Sequence, residues 1–421
     1  MLPLELIRKD PDRVRRAAEL KREPAPIDEI LKLDERWRQT LMQAENLRAT
    51  QKTLSKEYAQ SRDDQVLARL KTMADEVKSL TAEADALRAQ LDDLLLRVPN
   101  VFHESVPVGK TEADNVVIRD WGSKPDLGFP ARTHYDLGEA LGIMDFERAA
   151  RVAGSRFAFL LGEGALLERA LAQFMLDVHT REHGYTEVLA PALVNSAAMI
   201  GTANLPKFGG DLFKVEGQDL WLIPTAEVPL TNLHREEIVD GERLPLKYAA
   251  YTPCFRSEAG AAGKDTRGFI RLHQFTKVEL VKLTSAEDSM DEFEKLTADA
   301  EDILRRLGIH YQVMAMCTGD MGFAQYKKYD LMAWCPGLDR YLEVSSCSVF
   351  RDFQAMRANI RYRPERGSAP RFVHTINGSG LAMRVIDPLL ETYQRPDGTI
   401  TVPDVLRPYM GGLAVIGAHR A

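Results

Sequence analysis

The sequence predicts an α+β protein in which a long antiparallel pair of helices precedes a larger domain that contains antiparallel strands. Residues 27–98 contain neither Gly nor Pro, which favours long helices. Residues 251–281 hold two β-prone runs on either side of a glycine-rich loop over 259–268, which is the pattern of a β-hairpin. Helical and strand-forming regions are thus separate along the chain.

Length and composition indicate a water-soluble protein of two domains. The chain has 421 residues, more than one average domain uses. Its 45% hydrophobic and 28% charged content is typical of globular proteins. The first 26 residues are charged throughout and no window approaches 18 consecutive apolar residues. We therefore expect a cytoplasmic protein without a signal peptide or a membrane span.

Cysteine spacing and net charge exclude some classes of site. The four cysteines are far apart and form no Cys-x-x-Cys pair, which argues against a disulfide framework and against zinc; they are Cys254, Cys317, Cys335 and Cys347. The formal charge of −7 provides no global attraction to nucleic acid. Any RNA binding would have to use local basic patches and shape.

The sequence of the N-terminal region predicts an amphipathic segment over residues 1–23 and then a helical hairpin over residues 27–98. Its second half repeats apolar residues at alternating spacings of three and four, at Leu70, Met73, Val77, Leu80, Ala84, Leu87, Leu91, Leu94 and Val98. This is a coiled-coil seam. A polar break at 61–64 separates two arms of about 50 Å. A dimerisation coiled coil is the alternative use of such heptads.

The next region contains a predicted linker, a helix and a short strand. Residues 99–130 have the Pro and Gly content of a linker. Apolar spacing over 167–178 predicts a helix, followed by a strand near 184–191. A short apolar strand at 220–224 leads into Thr225, Ala226 and Glu227. These residues suit an amino-acid site, and equally a helix start with Thr225 as N-cap.

In the predicted hairpin, polar side chains collect on one face. Alternation along a strand puts one set of residues on a shared side, namely Arg271, His273, Phe275, Lys277 and Glu279. Cys254, Arg256 and Glu258 point together by the same parity. Arginine forks suit phosphate oxygens and an aromatic ring suits a purine, so this face predicts a nucleotide site. The alternative is a salt-bridged sheet surface.

Two later stretches carry further candidates. Residues 340–347 alternate as a strand with a polar face, but Ser346 has the opposite parity to Glu343. Both can therefore act at one site only if the strand bends or ends there. Residues 377–380, Asn-Gly-Ser-Gly, predict a plain turn when taken alone.

Phe255-Arg256-x-Glu258, a loop, and Arg271-x-x-x-Phe275 resemble motif 2 of the class II aminoacyl-tRNA synthetases, and the wider sequence resembles the seryl-tRNA synthetases. The resemblance implies a catalytic domain over 101–421, built on an antiparallel sheet flanked by helices. Motif 1 would span about 166–193, motif 2 about 251–281 and motif 3 about 373–393. Residues 1–100 would be the tRNA-binding domain.

The resemblance also implies a two-step reaction through seryl-adenylate, with ATP, Mg²⁺, L-serine and tRNA(Ser) as ligands, no zinc, tRNA(Sec) as a further substrate, and a homodimer. The implied ATP-binding residues are Arg256, Ser257, Glu258, Arg271, Phe275, Glu343, Val344, Ser345, Ser346 and Arg384. The implied serine-binding residues are Thr225, Ala226, Glu227, Glu279 and Ser379. Glu343 and Ser346 would hold Mg²⁺, and Arg256, Arg271 and Glu279 would be catalytic.

The sequence departs from the family pattern in motif 3. Arg384 lies two positions after Ala382, where the family usually has its arginine three positions after the corresponding alanine. Asp387-Pro388 also lies within the expected helix. Proline is tolerated only in a first helical turn, so we expect the helix to start near Ile386. Two other functions stay open: a paralogue that makes seryl-adenylate or seryl-tRNA for a specialised pathway, and a catalytically silent tRNA-binding protein.

Overall fold

The computed structural model describes residues 1–258 and 268–418. The chain forms two compact units, Met1–Val101 and Phe102–Ala421. Within the described ranges, no helix combines the length and the apolar character needed to cross a membrane. Gly260 and Gly263 of the predicted hairpin loop lie outside the described residues.

The first unit is helical. Its helices are α1 (Leu4–Lys9), α2 (Pro11–Leu20), α3 (Ile27–Ser61) and α4 (Asp64–Leu95). Arg62 adopts a left-handed conformation after α3, and the side chain of Asp63 accepts from the backbone N–H of Gln65 to start α4. The predicted hairpin and its break are confirmed.

The seam between α3 and α4 is apolar with polar edges. Its fully or nearly buried members in α4 are Met73, Ala84, Leu87, Leu91 and Leu95. Leu95 is buried in place of the predicted Leu94, which is only half-buried, and the predicted Val98 is fully buried just after α4 ends. Arg36 pairs with Glu83 across the helices at 2.6 Å, and Arg48 donates to Thr81 at 2.7 Å. The two arms therefore pack on each other within one chain.

The second unit combines many strands with shorter helices. Its strands are β1 (Val116–Trp121), β2 (Met144–Asp145), β3 (Phe159–Leu160), β4 (Thr186–Glu187), β5 (Leu193–Val194), β6 (Trp221–Leu222), β7 (Ile238–Asp240), β8 (Leu246–Phe255), β9 (Gln274–Thr284), β10 (Tyr311–Ala315), β11 (Lys327–Cys335), β12 (Arg340–Arg351), β13 (Arg361–Arg363), β14 (Arg371–Phe372), β15 (His374–Ala382), β16 (Ile400–Thr401) and β17 (Val415–Ile416). Its helices are α5 (His134–Ala140), α6 (Phe146–Ala153), α7 (Glu163–Arg181), α8 (Ser196–Gly201), α9 (Glu227–Thr231), α10 (Ser289–Arg306), α11 (Phe353–Ala358) and α12 (Ile386–Thr392).

The main sheet has the order β1-β10-β11-β12-β15-β9-β8-β4. Neighbours are antiparallel, except that β4 runs parallel to β8. Apolar side chains of α7 and α10 pack on one face of this sheet; they include Leu171, Met175, Phe293 and Leu296. Val278 and Leu280 of β9 belong to the same core. One face is thus core, as predicted.

Two predictions about the second unit are wrong. Residues 99–130 are not simply a linker, because β1 lies inside them and forms the edge of the main sheet. Residues 377–380 are not a turn but the middle of β15. A Cβ at Gly378 would overlap Cδ2 of Leu296, and one at Gly380 would lie 2.7 Å from Nε2 of His179. These glycines let helices approach the strand, which local sequence could not reveal.

Candidate active site

A cavity of about 760 Å³ opens on the face of the sheet opposite the helical core. Most of the predicted site residues line it, namely Thr225, Glu227, Arg256, Glu258, Arg271, Phe275, Glu343, Val344, Ser346, Ser379 and Arg384. A cavity of this volume is large enough for a nucleotide with a small second ligand. Its walls come from both halves of the β8–β9 hairpin, from β12, and from the end of β15.

The hairpin brings an aromatic ring and two arginines together. Cys254 pairs with Phe275 in the β8–β9 ladder. The guanidinium of Arg256 lies 5.1 Å from the Phe275 ring centroid, and its Nε donates to the carbonyl of Pro224 at 3.3 Å. The guanidinium of Arg271 pairs with Glu258 at 2.5 Å. Arg271 lies before β9 begins, so strand alternation alone does not determine where its side chain points. The ion pair with Glu258 fixes that direction.

A bulge in β12 resolves the parity conflict between Glu343 and Ser346. Ser345 pairs with Leu331 but Glu343 pairs with the next residue, Met332, so Val344 is the extra residue of a β-bulge. A bulge shifts the alternation of side chains by one position. Glu343 and Ser346 therefore line the same cavity. The predicted bend is confirmed.

Motif 3 accommodates its proline as expected. A 3₁₀ helix over Met383–Val385 precedes α12, which starts at Ile386, so Pro388 lies in the first turn. Nη1 of Arg384 donates to the backbone carbonyl of Glu343 at 2.9 Å. The side chain thus reaches the cavity wall despite the shorter spacing after Ala382.

The opposite end of the cavity is acidic with one central ammonium. Nζ of Lys277 donates to Oγ1 of Thr225 at 2.9 Å and pairs with the carboxylate of Glu279. Glu227 accepts from the amide of Gln354 at 2.7 Å. Burial, with Glu279 nearby, raises the pKa of Glu227 to about 7. Burial also raises the pKa of Glu279, while Lys277 opposes that shift.

Four predicted residues lie beside the cavity, not on its wall. Ala226 is fully buried beneath it, and Ser345 donates to the carbonyl of Ser379 at 2.7 Å. Ser257 turns away, since its hydroxyl donates to the carbonyl of Gly210 at 2.9 Å. Glu279 is fully buried and accepts from Asn377, a wall residue, at 3.1 Å. Thr225 also accepts from the backbone N–H of Glu227 at 3.2 Å. The N-cap of α9 is Ala226, so Thr225 lies one residue before the N-cap position that the sequence allowed for it.

Comparison with known proteins agrees with this geometry. The model "Seryl-tRNA synthetase N-terminal domain" matches residues 1–102, and "tRNA synthetase class II core domain (G, H, P, S and T)" matches residues 212–393. A serine–tRNA ligase from Caldanaerobacter subterraneus subsp. tengcongensis is 52% identical over 97% of this chain and 98% of its own. This chain belongs to the seryl-tRNA synthetase family. A second serine–tRNA ligase, from Pelotomaculum thermopropionicum, is 51% identical over 99% and 100% of the two chains.

The fold matches a solved member of the seryl-tRNA synthetase family. A crystal structure of seryl-tRNA synthetase from Pyrococcus horikoshii complexed with ATP superposes with a TM-score of 0.94 and 40% identity, covering 99% of each chain. The class II core, with its antiparallel sheet flanked by helices, is therefore the architecture of the second unit.

Several wall residues were missed by sequence reasoning. Lys277 shares a face with Phe275, which was a usable signal, but it was given no role. Lys328 also lines the cavity and pairs with Asp330 at 3.1 Å; three charges at the start of β11, whose other residues are apolar or aromatic, were a weaker signal. Glu168 on α7 accepts from Tyr251 and Thr276, each at 2.6 Å, and nothing in its helical context pointed to the site.

The donor set near Glu343 fits a hard cation. Burial opposes ionisation of Glu343, but Lys328, Arg384 and Arg256 outweigh it and lower its pKa. Burial raises the pKa of Asp330 to about 6, and its Oδ1 has no hydrogen-bond partner in the described residues. No group of three or more acidic, His or Cys side chains in the described ranges could hold a metal alone. A cation here would complete its shell with phosphate oxygens.

Proposed function

We infer that this chain is a serine–tRNA ligase that attaches L-serine to tRNA(Ser) through seryl-adenylate, with ATP as the second substrate. The observation that carries this conclusion is the match to serine–tRNA ligases along nearly the whole chain at half identity. The cavity residues support the same reaction. An aromatic ring, two arginines of the hairpin and an acidic pocket line one continuous space.

ATP would occupy the hairpin end of the cavity. We assign Arg256 to the α-phosphate, Phe275 to stacking on adenine and Glu258 to the adenine amino group. Arg271 and Arg384 would contact the distal phosphates. Arginine forks match phosphate oxygens, and donors that are already held in place stabilise charge as it develops.

Serine would occupy the acidic end. Its ammonium suits the carboxylates of Glu227 and Glu279, and its hydroxyl suits Ser379 and Thr225. Alanine would leave these buried polar groups unpaired, so the pocket discriminates against it. Lys277 pairs with Glu279 and partly offsets the repulsion between the two buried carboxylates.

The reaction needs positioning and charge neutralisation more than covalent catalysis. A serine carboxylate oxygen attacks the α-phosphorus, the bond from that phosphorus to the bridging oxygen breaks, and pyrophosphate leaves. A hydroxyl of the terminal tRNA ribose then attacks the seryl carbonyl carbon, and AMP leaves. Arg256 faces the phosphorus centre in the first step, where negative charge accumulates.

Glu343 and Ser346 would hold Mg²⁺, with Asp330 adjacent. When bound, this ion would neutralise part of the charge on the phosphates of ATP. The chain's own residues prepare that position, because Lys328, Arg384 and Arg256 lower the pKa of Glu343 and so favour its carboxylate form.

Further features of the family are proposed for this chain. The helical arm would bind tRNA(Ser), and tRNA(Sec) where one exists, by shape and backbone contacts. A homodimer is supported by apolar side chains left exposed around β4 and β5, namely Leu189 at 97% and Leu193 at 42%. A cytoplasmic location would follow from these substrates.

The two other functions have less support. The N-terminal domain model matches the whole arm, which favours tRNA as acceptor over a specialised pathway. The catalytically silent alternative depended on the altered spacing of Arg384 in motif 3. It loses support because Arg384 lies on the cavity wall despite that spacing.

Aminoacylation with defined tRNAs tests the proposal. We expect serine to be transferred to tRNA(Ser) and not to a tRNA with a short variable arm. A variant shortened by two heptads in each of α3 and α4, next to Arg62, should keep pyrophosphate exchange. Its kcat/KM for tRNA should fall by about tenfold or more, or ~1.4 kcal/mol. Equal charging of both tRNAs, or an unaffected shortened variant, would contradict the assignment.

A further inference from the structure

We propose that His179 on α7 is a positioning residue for the serine end of the cavity, and that the Nδ1–H group of His183 fixes its tautomer. The inference rests on the proposed function, since it concerns the serine site. His179 lies outside the cavity and touches no substrate. It acts through the backbone of β15 next to Ser379.

The backbone of β15 is irregular where Ser379 meets the cavity. Ser379 pairs with Glu279, but Leu381 pairs with the adjacent residue, Val278, so Gly380 is the extra residue of a bulge. A bulge leaves local carbonyl groups outside the ladder. The carbonyl of Ser379 accepts from Oγ of Ser345 at 2.7 Å. The carbonyl of Gly380 lies 3.0 Å from Nε2 of His179.

The His179 ring has little freedom to move. It is fully buried, and a Cβ at Gly380 would lie 2.7 Å from its Nε2. Tyr185 packs edge-on against the ring, with centroids 5.9 Å apart. Gly380 thus allows the imidazole to lie directly on the strand, and the ring in turn holds the bulge that directs Ser379.

Hydrogen bonding determines the protonation of both histidines. A carbonyl only accepts, so Nε2 of His179 must carry the proton. Burial lowers the pKa of His179 to about 4, so the ring is neutral and its Nδ1 is an acceptor. Nδ1 of His183, 3.0 Å away, must then donate. Nε2 of His183 lies 3.1 Å from Oδ2 of Asp302.

Acidic side chains surround His183. Oδ2 of Asp302 lies 3.1 Å from its Nε2 and also pairs with Arg306 at 2.7 Å, and Oδ1 of Asp299 lies 3.8 Å from Nδ1 of His183. The other charged or titratable groups packed around this pair are Glu182 after α7, Tyr185, Lys247 on β8, and Lys282 on β9. A His183 tautomer without a proton on Nδ1 would turn a lone pair toward His179 and release the fixed tautomer of that ring.

Steady-state pyrophosphate exchange in the full-length enzyme tests the proposal. In His179→Leu, we expect the KM for serine to rise by about tenfold or more, because small misplacements at a reacting centre are costly. The KM for ATP should change by less than about twofold. His179→Gln carries an amide N–H near the position of Nε2, so it should restore most of the serine affinity.

His374→Leu is the matched control. His374 is also a buried histidine, but it lies at the start of β15, far along the strand from Gly380, and its ring is hydrogen-bonded to Ser289 at 2.9 Å. It should lower stability without a selective change in the KM for serine. An unchanged serine KM in His179→Leu, or equal impairment in His179→Gln and His179→Leu, would overturn the proposal. Absence of serine-dependent exchange in the wild-type enzyme would instead overturn the proposed function.

If His179→Leu does not fold, histidine ¹⁵N NMR of the wild-type protein tests the proposal by reporting the tautomer of His179. We expect His179 to have a protonated Nε2 and an unprotonated Nδ1, and His183 to have a protonated Nδ1. A protonated Nδ1 on His179 would overturn the proposal.

Discussion

At the scale of single residues, the acidic end of the cavity contains more carboxylates than ammonium groups. Glu227 and Glu279 are both deeply buried, and Lys277 supplies one ammonium between them and Thr225. One negative charge is left over when both carboxylates ionise, which is the charge that a single substrate ammonium would balance. In its absence, Glu227 retains a proton up to near neutral pH.

Serine binding should therefore depend on pH through Glu227. Burial, with Glu279 nearby, raises its pKa from 4.5 to about 7, so below that pH the group is neutral and attracts an ammonium weakly. We expect the KM for serine to be flat above about pH 8 and to rise by up to about tenfold per unit below the pKa. In Glu227→Gln the KM should be higher throughout and lack this dependence.

A rise in pH through the pKa of Glu227 should strengthen serine binding but lower the stability of the folded protein. A carboxyl whose folded-state pKa is raised favours the folded protein at low pH, and that contribution is lost as pH rises through about 7. Melting temperature without serine should thus decline from pH 6 to pH 8 more steeply in the wild type than in Glu227→Gln. Identical pH profiles of the serine KM in the two proteins would contradict the role given to Glu227.

Sequence alone could predict most of these residues, because strand parity is a local property. Arg256, Phe275 and Lys277 share a face through simple alternation, and the cavity contains all of them. Glu168 could not be predicted in this way. It reaches Tyr251 and Thr276 from a helix about 100 residues away, and that contact exists only after α7 packs on the sheet.

At the scale of elements, bulges and close-packed glycines shape the site. The bulge at Val344 turns Glu343 and Ser346 to one side, and the bulge at Gly380 lies beside Ser379. Neither bulge has a local sequence signature, since each depends on the register of neighbouring strands. Parity alone required β12 to bend or end between Glu343 and Ser346 but could not identify a bulge there, and the sequence of residues 377–380 wrongly predicted a turn in the middle of β15.

Gly378→Ala should destabilise the second unit. An added Cβ would overlap Cδ2 of Leu296 on α10 and lie 2.9 Å from Sγ of Cys347 on β12. Overpacking of a core position costs about 1–3 kcal/mol. Gly210→Ala is the control, since a Cβ there meets nothing within 4 Å, and its effect should stay within about 0.5 kcal/mol. Calorimetric melting measures both, and equal melting temperatures would refute the packing role of Gly378.

At the scale of the whole molecule, the chain separates a helical unit from a catalytic unit. The heptad pattern of α4 and the absence of Gly and Pro over 27–98 were sufficient to predict the arm, because coiled-coil packing is periodic and local. Heptads alone could not distinguish an intramolecular hairpin from a dimerisation coiled coil. Cross-helix pairs such as Arg36 with Glu83 identify the hairpin.

The catalytic unit was harder to predict because its sheet joins distant segments. β1 pairs with β10, almost 200 residues later, and a Pro- and Gly-rich context conceals it. Antiparallel ladders between β9, β15 and β12 bring motifs 2 and 3 and Glu343 onto one surface. Non-local pairing of this kind leaves no trace in composition or periodicity.

Serine-dependent exchange of labelled pyrophosphate into ATP, without tRNA, tests the central claim most directly. We expect exchange with serine and not with alanine, and a loss of about 10²–10³-fold in Arg256→Ala, because Arg256 would face the α-phosphate. Arg366→Ala, at an exposed arginine of the same unit, should behave as wild type. No serine-dependent exchange in folded wild-type protein, or wild-type exchange in Arg256→Ala, would contradict the account.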